Sequence, residues 1–164
     1  MVAPVDNPPL DEANAAFIRR GVMVSVASRD ARHVASLSRA LGCRVAPDRR
    51  RVTAFLPASQ CETLLRDLRD TGAIAVVFTQ PSTHRTIQLK GTDAAIQPIE
   101  SGGTALIDAN IDALVTDVAP LGYTEVFVRT LLAYEPEDLV EVTFTPTSAF
   151  AQTPGPQAGR RLCP

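Results

Sequence analysis

The strongest constraint on this chain is a set of short segments whose apolar residues recur every second position. Val22 to Ser28 alternates around Val22, Val24 and Val26; Val52, Ala54 and Leu56 share one side of a later segment; and Leu139 to Thr145 places Val140, Val142 and Phe144 together. A period of two is the signature of an extended strand with one buried face. Between them, Ala73 to Phe78 is a short apolar run rich in valine and isoleucine, and Thr83 to Ala94 follows it after Gln80 and Pro81. These two read as paired central strands. A less regular extended stretch, His33 to Leu41, follows the first strand across a turn at Arg29 to Arg32 and suggests a hairpin.

Helical spacing is found elsewhere. Asp11 caps a short helix through Arg20 that Gly21 ends. Pro57 introduces a helix in which Ser59 and Glu62 have capping-box spacing, Cys61, Leu64, Leu65 and Leu68 form an apolar stripe, and Gly72 is the stop. Ile107, Ile111, Leu114, Val115 and Val118 repeat at helical spacing before Gly122, and Thr124 to Tyr134 adds a shorter helix. Half a dozen strands, with a helix between the third and fourth, predict a mainly β chain: a small six-stranded antiparallel barrel with helices packed outside it.

At 164 residues the chain is expected to form a single domain, with residues 1–10 as a flexible lead and 152–164 as an extended tail. Pro154, Gly155, Pro156 and Gly159 exclude regular helix or central strand there. A net charge of −2 supplies no general basic field, which speaks against nucleic acid and anionic membranes as partners. The first residues lack the basic and apolar regions of a secretory signal, and no apolar run approaches a spanning helix, so a soluble cytoplasmic protein is expected. Fifteen of the 16 basic residues are arginine, a bias consistent with a bacterial genome rich in G and C. Three cysteines, Cys43, Cys61 and Cys163, match neither a disulfide framework nor paired zinc ligands and read as reduced thiols. His33 and His84 have no ligand-spaced companions, so no metal site is expected.

The segment from Pro81 to Gly91 carries the most chemical information. Extended alternation places Thr86, Gln88 and Lys90 on one face and Ile87 and Leu89 on the other. A hydroxyl, an amide and a fixed positive charge in line suit the polar edge of a flat heterocycle, although any antiparallel strand with one wet face shows a similar pattern. Arg85 breaks the alternation and is expected near an anion or carboxylate. The start of the helix near Ser59 and Gln60 offers unpaired N–H groups, a hydroxyl and an amide, a combination suited to phosphate, as well as an ordinary cap.

Gly21-Val-Met-Val-Ser-Val-Ala-Ser, Ala46-Pro-Asp-Arg, the strand Val52 to Pro57, Arg85-Thr-Ile-Gln-Leu-Lys-Gly91 and Gln152-Thr-Pro-Gly-Pro, in this order, resemble the pyridoxamine 5′-phosphate oxidase-like flavoproteins over roughly residues 11 to 160. The resemblance implies an FMN-binding split β-barrel of Greek-key type that forms a homodimer with FMN in the grooves between subunits. It implies phosphate contacts at Ser59 and Gln60 and flavin contacts at Arg85, Thr86, Gln88 and Lys90. It further implies an oxidoreductase acting on a small molecule or electron acceptor; a non-catalytic protein that stores or senses FMN is the alternative. A deazaflavin in place of FMN, or haem with His33 or His84 as an axial ligand, is a third option. The chain departs from true pyridoxamine 5′-phosphate oxidases in having no tryptophan, in lacking their basic C-terminal segment, and in lacking their Arg-Lys pair at the helix start. Vitamin B6 oxidation is therefore not the expected activity.

Overall fold

Asp30 sets the geometry of the first hairpin. In the computed structural model, which describes residues 10–162, its Oδ1 accepts the backbone N–H groups of Arg32 and Val34 at 2.8 and 2.9 Å. The turn closes with His33 in a left-handed conformation, φ 65°, and joins β1 (Met23–Arg29) to β2 (Ala35–Ala40) in antiparallel register with Val26 opposite Ser38. Backbone hydrogen bonds to a side chain are what hold a non-glycine residue in that region.

Three corners where one strand passes directly into a strand of the other sheet, with no helix between them, create the architecture. At Leu41, whose N–H donates to Phe55 O, β2 gives way to β3 (Gly42–Val45), which pairs with β4 (Val52–Pro57). At residues 92–94, β6 (Thr86–Gly91) gives way to β7 (Ala95–Pro98). At residues 145–147, β8 (Leu139–Phe144) gives way to β9 (Ser148–Ala151). With β5 (Ile74–Thr79), the result is a five-stranded sheet ordered β2-β1-β5-β6-β9 and a four-stranded sheet ordered β3-β4-β8-β7. Every pairing is antiparallel, and the two sheets do not close into one barrel.

The expected count of six strands is therefore too low: nine strands occur among the described residues. The reading from His33 to Leu41 missed β3, and the reading from Thr83 to Ala94 merged β6 with the approach to β7. Strand β9 was not foreseen. The three missed strands have four residues each, too few for an alternation to register, and their partners fix them. The central pairing of β5 with β6 is as expected, with Val76 opposite Leu89.

Between the two sheets, Val24, Val26, Leu56, Val76, Phe78, Leu89 and Phe144 form the main core. Helix α2 (Glu62–Thr71) covers one opening and contributes Leu64, Leu65 and Leu68, all buried. Burying such side chains is worth about 1.5–3 kcal/mol each. Helix α1 (Glu12–Ile18), capped by Asp11 as expected, adds Phe17 and Ile18. A second cluster lies on the outside of β4, where Phe55 meets Ile107, Ile111 and Leu114 of α3 (Gly103–Val118) and Val128 of α4 (Glu125–Leu131). Both faces of β4 are thus covered and all six of its residues are buried.

The capping box at Ser59 and Glu62 does not form. Helix α2 begins at Glu62 with Cys61 as its N-cap residue, and Ser59 sits in a 3-10 turn, Ala58–Gln60. The reason is a stronger acceptor: Asp138 takes the Ser59 N–H at 2.9 Å and its hydroxyl at 2.6 Å. The stop at Gly72 is as expected, a left-handed residue at φ 65° whose N–H returns to Leu68 O.

Candidate functional site

One end of the outer face of the five-stranded sheet is open. Inward-pointing Val24, Val26, Val76 and Leu89 are buried, so the alternate residues Ala27 on β1 and Ala75 on β5 point outward and are half-buried. The register aligns Leu37, Ala27, Ala75, Lys90 and Ser148 in a single row across the sheet. A trough of about 560 Å³ lies over this row, with Ala27, Ala73 and Ala75 on its floor and Arg29, His33 and Lys90 among its other lining residues. Small side chains in the middle of a sheet leave a flat surface, and this volume lies in the range of ligand pockets.

A second depression, of about 440 Å³, adjoins the trough through Ala35 and runs to the start of α2. Ser36, Ser59, Gln60 and Glu62 line it. The Ser36 hydroxyl is buried and has no hydrogen-bond partner among the described residues. A buried polar atom left in that state costs about 1–3 kcal/mol unless something fills the space beside it.

The six residues singled out from the sequence do not all fall together. Lys90 lines the trough, exposed, with Nζ 5.2 Å from the centre of the Phe150 ring. Gln88 lies one row away on the same outer face, half-buried, its amide 3.5 Å from that of Gln152. Thr86 is used internally: its hydroxyl bonds Thr79 Oγ1 and donates to His84 O, and its N–H donates to Thr153 Oγ1. Ser59 and Gln60 line the second depression, where Ser59 already serves Asp138. Arg85 departs from expectation. Its guanidinium lies 4.1 Å from the Phe17 ring centre and donates to Asn14 Oδ1 at 3.2 Å, with no carboxylate partner among the described residues. The aromatic face of α1 supplies the negative partner that a carboxylate was expected to supply.

Arg29, His33 and Ser36 were not singled out for this site. Their signal in the sequence was faint: Ala27, Ala73 and Ala75, small residues on the wet faces of two neighbouring strands, mark a floor only once the register of β1 and β5 is known. The thiols take no part. Burial pushes Cys43 up to about 12 and Cys61 up to about 11, so both stay protonated near neutrality. Cys163 lies outside the described residues.

No protein-family model matches the sequence, and no curated protein matches it. Solved structures do. HupZ of Group A Streptococcus superposes with a TM-score of 0.55 at 14% identity, over 92% of this chain and 100% of that one. An F420 reductase gives 0.56 at 13% identity, over 85% and 98%. A candidate pyridoxamine 5′-phosphate oxidase from Lactobacillus delbrueckii gives 0.53 at 11% identity, over 90% and 98%. The chain has the pyridoxamine 5′-phosphate oxidase-like split-barrel fold. Within this split barrel, the trough and the α2 depression lie side by side on residues that the fold brings together from β1, β2, β5, β6 and α2. Among the described residues no helix is long and apolar enough to cross a membrane.

Proposed function

We propose that this split barrel binds FMN across the open face of its larger sheet, works as a homodimer, and exchanges electrons with a small molecule. The observation that carries the reading is the juxtaposition of an alanine-floored trough beside Lys90 with a depression holding the unpartnered Ser36 hydroxyl. The residues fit the cofactor's two halves. Ala27 and Ala75 leave room for a flat ring, Gln88 offers an amide to a pyrimidine edge, and Lys90 offsets negative charge on a reduced ring. The phosphate is assigned to the Ser36 hydroxyl, Gln60 and the N–H groups at the start of α2, with Ser59 shaping the turn.

That seat is built from neutral donors and has Glu62 in its lining and Asp138 against Ser59, so phosphate binding there rests on hydrogen bonds and the helix terminus. When bound, FMN supplies one- or two-electron chemistry; the chain's contribution is to hold it, cover it and limit water. The open face also supports dimerisation, because a second copy would wall a trough that one chain leaves exposed.

The yellow absorbance of the purified protein, without a Soret band, tests flavin against haem. Reduction of bound flavin by NADH or NADPH, then reoxidation by an added acceptor, supports an oxidoreductase; flavin that binds yet stays inert supports the storage or sensing alternative. Lys90→Ala and Gln88→Ala are each expected to weaken flavin retention, and unchanged occupancy in both contradicts the ring assignment.

A further inference from the structure

Two side chains in the lining of the trough, Arg29 and His33, have no part in the flavin assignment. Arg29 ends β1 and His33 occupies the following turn, while Lys90 stands on β6. Lys90 and Ala27 are two strands apart, which at ordinary strand spacing is about 10 Å. Arg29 and Lys90 thus stand on strands two apart with Ala73 and Ala75 of the floor between them, and His33 lines the same trough. No carboxylate is among the residues lining the trough. The nearby acids are committed elsewhere: Asp30 to the turn N–H groups and Arg32, Asp93 to the N–H of Thr145. Among the described residues Arg29, His33 and Lys90 form no ion pair, and the one hydrogen bond of the Arg29 guanidinium is a 3.4 Å contact to Asp30 O.

The charges of Arg29 and Lys90 thus stand in one cleft whose lining holds no carboxylate. Low-dielectric walls focus such a field on whatever enters. The Arg29 guanidinium presents paired donors suited to two oxygens of one anion, the His33 ring adds a donor, and the hydroxyls of Thr92 and Ser148 lie on the same lining. The neutral phosphate seat lies on the other side of Ala35, so Arg29 and His33 are free for a second molecule.

We propose that Arg29 and His33, at the β1 end of the trough, form an anion site that selects a small substrate carrying a phosphate or carboxylate group beside the flavin. Its role as a substrate site rests on the flavin reading above; the anion binding itself does not. Calorimetric titration of inorganic pyrophosphate and of citrate into the purified full-length protein, with and without added FMN, reads the site directly. The Arg29→Gln, His33→Gln double variant is expected to lose affinity for both anions by about tenfold or more, the equivalent of losing a charge-assisted hydrogen bond. Arg29→Lys, which keeps the charge, recovers part of it and separates lost recognition from lost folding.

Equal anion affinity in the double variant, or no anion binding by the wild type, overturns the site. FMN and riboflavin titrations identify the source of the anion. If the double variant weakens FMN but spares riboflavin, these two residues hold the cofactor's own phosphate and the substrate assignment fails. A protein that binds pyrophosphate through Arg29 but never binds flavin keeps the anion site and loses the flavin reading.

Discussion

Glu141 is a buried carboxylate, 1% exposed, that the proposed chemistry does not use. Arg44 donates to its Oε2 at 2.8 Å, and the N–H of Glu100 donates to its Oε1 at 3.1 Å, so this residue ties β3, β8 and the approach to α3 together. Removing Arg44 would leave the charge uncompensated. Arg44→Ala is expected to destabilise the fold by about 3–5 kcal/mol, read by chemical denaturation, because an orphaned buried ion is far costlier than a missing surface pair. Asp117 invites a test with pH. Partial burial, the largest influence, pushes its carboxyl up, but hydrogen bonds from the Ser82 hydroxyl, the Gln80 amide and the Ser82 N–H together outweigh it and leave the group below its ordinary value. A depressed folded value means that the stabilisation is present above the unfolded carboxylate pKa of about 3.9 and is lost as pH falls through the folded value. The gap in melting temperature between wild type and Asp117→Asn should therefore narrow below about pH 4; a gap that stays constant with pH contradicts this.

The elements differ in how plainly the sequence announces them. Helix α2 and the β5–β6 pair carry their periodicity over enough residues to be read, and Gly72 marks an end that needs a positive φ. The sheet corners do not announce themselves, because Leu41 and residues 92–94 look like continuations of the strands before them. Gly91 marks one corner by lacking a side chain: a Cβ there would stand 2.7 Å from Phe144 Cδ2 and 2.8 Å from Thr145 O. Gly91→Ala is expected to cost about 1–3 kcal/mol of stability in denaturant titrations, since buried Phe144 and a backbone carbonyl have little room to retreat. The candidate site was half legible for a related reason. Lys90 and Gln88 share a face by simple alternation, whereas Arg29 and His33 reach the trough, and Ser36 the adjoining depression, only through the β1–β2 turn and the register across the sheet.

At the scale of the whole molecule, one end of the outer face of the larger sheet is left open, and in the proposed homodimer a second copy covers it. Sedimentation at micromolar protein should give the mass of two chains, and a monomer at that concentration would count against the shared site. The flavin is the claim on which the rest turns. Protein purified without added ligand should release, on denaturation, a molecule with the mass of FMN in near-equimolar ratio to chain. Release of haem, of a deazaflavin, or of nothing from protein that also fails to take up added FMN would contradict it.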